Sequence, residues 1–135
     1  MAKKKKPILC VHNIHVELFN TVINVILTDD FVQNYKDLDV WEEFCEPFDR
    51  EEDAVAFLEG AEAVTSHLKK SKILCMVFHP DKFTAGQIAH ESFHVMCFMF
   101  QDKGITFDHT LSTEETYAYT LQFIVQKTSD FLYGK

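Results

Sequence analysis

Two short segments near the start of the chain have the hydrophobic pattern of β-strands. Ile14 to Phe19 alternates apolar with polar residues, and Val22 to Leu27 is rich in β-branched residues. Further along, Ala63 to Leu68 and Lys72 to Phe78 flank a polar turn, which predicts a β-hairpin. The second strand of this hairpin is almost wholly apolar. That composition indicates a strand buried on both faces, or buried on one face and covered by a ligand on the other.

Apolar residues with helical spacing predict helices between and after these strands. From Asp29 to Leu38 the spacing predicts a helix that Thr28 caps. The acidic stretch from Trp41 to Gly60 predicts at least one more short helix. These helices stand between the first two strands and the hairpin.

The clearest helix start in the chain is Thr84, with Gln87 three residues later in the pattern of a capping box. We expect this helix to run to about Gln101 and to end before Gly104. Its residues are apolar on nearly every side, which predicts a central, buried helix. A last helix should begin near residues 112–113 and turn the following residues inward: Tyr117, Ala118, Leu121, Ile124 and Val125.

These elements predict an α+β fold in which a small, mainly antiparallel sheet packs against the last two helices. The length of 135 residues fits one domain over residues 8–135, preceded by a basic tail over residues 1–7. The chain has 21 acidic and 13 basic residues, and this acidic balance disfavours binding to nucleic acid.

The apolar runs of the sequence are too short to cross a bilayer, and polar residues interrupt the apolar run near the N-terminus. We therefore expect a cytoplasmic protein without a membrane partner.

The predicted central helix carries His90-Glu91-Ser92-Phe93-His94, an HExxH pattern. Residues i and i+4 lie one turn apart on the same helix face, so both imidazoles can bind one metal ion. Zinc suits this ligand type, and Glu91 beside it can hold and deprotonate a metal-bound water. Two unpartnered histidines and a glutamate would be costly to bury in an apolar helix, which favours a metal site over two structural histidines.

A third protein ligand must come from elsewhere in the chain. The downstream candidates are His109, Glu114 and Glu115, and helical spacing alone does not choose between the two glutamates. Residues 115–119 have the form ExxAY. The set of HExxH, a helix end at residues 103–105 and then ExxAY resembles small phage- and prophage-encoded gluzincin-type metallopeptidases. The general layout is shared with thermolysin-like enzymes, and the resemblance covers roughly residues 72–127.

The resemblance implies a minimal zincin-like domain with His90, His94 and Glu115 as zinc ligands and Glu91 as general base. The implied activity is hydrolysis of a peptide or protein substrate by zinc-activated water, in the cytoplasm of a host cell if the protein is phage-encoded. We expect an extended substrate to pair along the edge of the strand from Ile73 to Phe78. The rival interpretation is a non-catalytic, zinc-stabilised binding or structural protein of a phage or mobile element.

Three further residues are candidates for contacts to an oxyanion or to the substrate. His109 precedes the ligand helix and is either such a contact, a third metal ligand or a surface loop histidine without a role. His79 ends the strand before the HExxH helix, a place that borders the substrate cleft in zincin folds. Tyr119 is a candidate donor of a hydrogen bond to a tetrahedral intermediate. Both also fit purely structural roles.

Overall fold

The computed structural model describes residues 9–106 and 110–134, which form an α+β fold. The strands are β1 (Leu9–Val16), β2 (Thr21–Thr28), β3 (Ala63–Leu68) and β4 (Ile73–Phe78). The helices are α1 (Phe31–Asp37), α2 (Trp41–Cys45), α3 (Glu51–Glu59), α4 (Ala85–Asp102) and α5 (Leu111–Leu132), with a 3₁₀ turn at Glu17–Phe19. The predicted basic tail and His109 lie outside the described residues.

The four strands form one sheet in the order β1-β2-β4-β3. β1 pairs antiparallel with β2, and β3 pairs antiparallel with β4, as the predicted hairpin requires. β2 and β4 are parallel, because the chain passes through α1, α2, α3 and β3 between them. The sheet is therefore mostly antiparallel with one parallel pair at its centre.

The prediction that a substrate pairs along the edge of β4 is wrong. β4 lies between β2 and β3 and pairs with both over Cys75–Phe78, so it is not an edge strand that a peptide can join. Five of its six residues are buried, which is why its sequence is almost wholly apolar. Among the described residues, the outer strands of the sheet are β1 and β3.

Helices cover both faces of the sheet and create two separate cores. One core joins β1, β2 and β4 to α4 and α5, and includes Met76, Met96 and Ile124. The other joins β2, β3 and β4 to the shorter helices, and includes Val77 and Tyr35. The HExxH sequence therefore lies on a helix that packs against one face of the sheet.

Most helices begin and end where local signals in the sequence predict, but the residue that caps α1 differs from the prediction. Asp30 caps α1 by accepting a hydrogen bond from the backbone N–H of Gln33, at 3.0 Å. Thr28, the predicted cap, instead accepts from the N–H of Asp30 because it still belongs to β2.

On α5, Ile124 is buried as predicted, but Ala118 is exposed because it lies on the outer face of that helix.

Candidate metal centre

The HExxH helix, α4, is held at its start by the predicted capping box. The side chain of Thr84 accepts from the N–H of Gln87 at 3.1 Å, and the side chain of Gln87 accepts from the N–H of Thr84 at 3.2 Å. The helix ends at Asp102, and Gly104 follows with φ of 68°. Such a left-handed residue after the last turn is a common helix stop, and glycine adopts it without strain.

The prediction that α4 is buried on every side is wrong. Its inner residues pack on the sheet and on α5, whereas a stripe of residues along the outside meets solvent. This stripe contains Ala89, His90, Phe93 and His94, and Phe93 is 50% exposed. The reason is that one helix layer covers this face of the sheet, so α4 has an outer side. The two histidines are consequently accessible to an ion from solvent.

The imidazoles of His90 and His94 are brought together on that outer face. Their Nε2 atoms lie 3.1 Å apart, and the ring planes are inclined at 75°. Two nitrogens that bind one tetrahedral zinc ion at about 2.1 Å stand about 3.4 Å apart, so the observed separation is slightly shorter than that of a ligand pair. The same separation suits a hydrogen bond from one ring N–H to the other ring. The geometry therefore fits two zinc ligands without rearrangement of the helix.

The carboxylate of Glu91 points away from solvent, toward β3. Glu91 is 7% exposed, and its Oε2 accepts a hydrogen bond from the hydroxyl of Thr65 at 2.7 Å. The same hydroxyl lies 3.3 Å from the backbone oxygen of Glu91. Thr65 thus ties the carboxylate to the sheet while the neighbouring histidines face outward.

β3 runs along α4 and meets it at successive turns. The side chain of Gln87 contacts Glu62 just before the strand, at 2.9 Å. Near the other end, His67 contacts Asp102 at 2.9 Å, and its ring lies beside that of Phe98 at a tilt of 37°. An outer strand of the sheet therefore borders the candidate site. The sequence analysis does not identify Thr65 and His67 as residues beside the site. Their positions, two apart in β3, do indicate that both side chains point to the same face of the sheet.

The predicted third ligand, Glu115, is not next to the histidines. α5 runs antiparallel to α4, since Phe83 contacts Tyr133 and Phe100 contacts Tyr117. This register places His94 level with roughly residue 122, about 10 Å along the helix axis from Glu115 at a rise of 1.5 Å per residue.

Glu114 and Glu115 are both exposed on the first turns of α5. Within the described ranges, no group of three or more His, Cys, Asp or Glu residues is arranged to hold a metal ion. The described residues thus bring two candidate ligands together, and the assignment of Glu115 as the third stays a prediction.

The remaining candidates lie apart from the histidine pair. His79 follows β4, and its Nδ1 accepts from the backbone N–H of Asp81 at 3.1 Å. This contact gives His79 a structural role in the turn. Tyr119 is 67% exposed and lines a groove between α5 and β1. Neither residue is joined to His90 or His94 by the described contacts.

Comparisons with protein-family models, with curated proteins and with solved structures found no match. Among the described helices, none combines the length and the apolar character that crossing a membrane requires.

Proposed function

We propose that this protein is a zinc-dependent peptidase whose site lies on the outer face of α4, beside β3. The observation that carries the proposal is the pair of Nε2 atoms of His90 and His94, 3.1 Å apart on an exposed helix face. Glu91 lies between these ligands in the chain, as the HExxH chemistry requires. Glu115 is our candidate for the third ligand, on the resemblance of residues 115–119 to the gluzincin pattern.

When bound, zinc supplies Lewis acidity that polarises a substrate carbonyl and lowers the pKa of a bound water toward about 7. His90 and His94 would hold the ion through the Nε2 atoms of their neutral imidazoles. Glu91 acts as general base: it accepts a proton from the attacking water and delivers it to the leaving amine. The hydrogen bond from Thr65 occupies Oε2, so we assign Oε1 to the proton transfer. Thr65 thereby orients the base.

The substrate class follows from the strand beside the site. Within the described residues, β3 has a strand partner on one side only, so its outer edge offers unpaired backbone groups. An extended peptide can add to such an edge through main-chain hydrogen bonds. Thr65 lies on this strand and contacts Glu91, which brings an edge-bound peptide close to the base. We therefore propose that β3, and not β4, binds the substrate.

A second candidate function is a zinc-binding protein without hydrolytic activity. Two observations favour it: Glu115 is about two turns from the level of His94, and Glu91 is buried against Thr65. Under this alternative the ion stabilises the fold or a bound partner, because binding to the folded state adds stability.

Zinc titration by calorimetry tests the metal site that both candidates share. We expect one zinc per chain, and we expect His94→Gln to weaken binding more than about tenfold, since half of the nitrogen ligand pair is lost. The matched control is His15→Gln, which removes an exposed histidine from β1. β1 is at the opposite edge of the sheet from β3, the strand beside the candidate site. Equal zinc affinity in both variants would exclude the His90–His94 site.

A further inference from the structure

β1 is an outer strand that lacks the usual protection of a sheet edge. Its eight residues, Leu9–Val16, contain no charged residue, proline or glycine. Natural edge strands are commonly blocked by charges, prolines or bulges, because an open edge pairs readily with another strand. Within the described residues, only β2 pairs with β1. Leu9 and Val11 are also about half exposed, at 49% and 52%.

A groove of about 590 Å³ runs beside this strand, between β1 and α5. Aromatic residues of α5 line it while remaining open to solvent: Tyr119 is 67% exposed and Phe123 is 38% exposed. Its lining contains one cationic residue, Lys127, and one anionic residue, Glu17. The edge and its groove thus mix apolar with uncharged polar side chains and carry little net charge.

We propose that β1 pairs antiparallel with β1 of a second copy of this chain, around a two-fold axis, to make one continuous eight-stranded sheet. The charge distribution favours a second copy as the occupant. The net charge of −8 opposes contact between two copies over most of the surface, whereas β1 carries no Asp, Glu, Lys or Arg. Two copies can therefore meet at β1 without like-charge contacts. A charged peptide partner would find no complementary charge on this strand. This inference does not depend on the zinc site.

The alternation of side chains restricts the pairing register. Residues directly opposite each other in an antiparallel pair point to the same face of the sheet. Even-numbered residues of β1 point to one face and odd-numbered residues to the other. If both copies keep their helices on the same face, each residue must therefore lie opposite a residue of the same parity. A register with Asn13 opposite Asn13 of the second copy satisfies this condition. It also keeps Ile14 and Val16, which are buried against the α4–α5 side, on the corresponding face of the combined sheet.

Asn13 supplies a specific contact at the proposed axis. Its Oδ1 accepts a hydrogen bond from Nδ2 of Asn24 on β2, at 2.7 Å. The amide N–H₂ of Asn13 is the group we assign to the second copy, so that a row of four asparagines crosses the interface. Cross-strand polar pairs of this kind stabilise sheet pairing and select its register.

Sedimentation velocity of the full chain, from low-micromolar to sub-millimolar concentration, tests the proposal. We expect a concentration-dependent shift from one chain mass to two. Asn13→Asp should raise the dimer dissociation constant about fivefold or more, because two carboxylates face each other at the axis. The carboxylate can still accept from Asn24, so the monomer keeps its fold. The matched control is Gln122→Glu, which adds the same charge on an exposed position of α5 outside the groove.

Val11→Lys provides a second variant that does not depend on the exact register. Val11 is half exposed, so lysine is tolerated in the monomer, and a charge on the edge should abolish dimer formation over the same range. A single-chain mass of the wild type at every concentration would overturn the proposal. A dimer that Val11→Lys weakens no more than Gln122→Glu would also overturn it, because the contact would then lie elsewhere.

Discussion

The hydroxyl of Thr65 shows how much of the candidate site depends on one side chain. It donates to the carboxylate of Glu91 at 2.7 Å and joins an outer strand to the HExxH helix. Sequence spacing predicts the proximity of His90 and His94, because i and i+4 positions are neighbours in any helix. It cannot predict Thr65, because 26 residues separate it from Glu91 and the contact depends on how the helix lies on the sheet.

Thr65→Val should lower the free energy of unfolding by about 1–3 kcal/mol, because the largely buried carboxylate of Glu91 loses its hydrogen-bond donor. Thr65→Ser keeps the donor and should retain most of the stability. Urea denaturation of the two variants and the wild type measures the difference. Equal stability of the valine and serine variants would show that this hydrogen bond contributes little.

At the scale of elements, the sequence predicts those features that local interactions determine. The hairpin of β3 and β4, the capping box of α4 and its end before Gly104 are all confirmed. These signals act over a few residues. The strand order and the parallel pairing of β2 with β4 are not predictable in this way, because they depend on contacts across three helices. The exposed outer face of α4 was missed for the same reason.

Glu114 and Glu115, on the first turns of α5, are the candidates for a third protein ligand within the described residues. Zinc titrations of Glu115→Ala and Glu114→Ala compare two exposed, adjacent carboxylates that point about 100° apart on the helix. We expect zinc affinity to fall more than about tenfold in Glu115→Ala and to change little in Glu114→Ala. The reverse order would transfer the ligand role to Glu114. Small effects in both variants would mean that α5 contributes no ligand, which favours the non-catalytic candidate.

In the whole molecule, the sheet separates the candidate site on the outer face of α4 from a second core on its other face. Cys75 and Tyr35 are both 0% exposed in that core, and the Tyr35 hydroxyl lies 2.6 Å from Oγ of Ser66. Burial raises the pKa of the Cys75 thiol from 9.0 to about 11, and burial also raises the pKa of Tyr35 well above 10.0. Both groups are therefore neutral in the folded protein at neutral pH.

This burial predicts a loss of stability in alkaline solution. The unfolded chain releases the thiol proton near pH 9, whereas the folded chain holds it to about pH 11. The contribution of the neutral thiol is complete below pH 9 and is lost as the pH rises through 11, by on the order of 2–3 kcal/mol. Urea denaturation between pH 8 and about pH 11 measures this decline. Cys75→Ala should show a shallower decline, and a decline as steep as that of the wild type would contradict the assignment to Cys75.

In the proposed function, zinc held on α4 and the carboxylate of Glu91 together hydrolyse peptides. The most direct test is cleavage of an extended-peptide library by zinc-loaded wild type and Glu91→Gln, with the zinc content of both preparations measured. The amide of glutamine can still accept the hydrogen bond from Thr65 but cannot take a proton from water. We predict cleavage by the wild type, and a loss of about 10²–10⁴-fold in the variant at equal zinc content. No cleavage by the zinc-loaded wild type, or equal rates for both proteins, would contradict the claim.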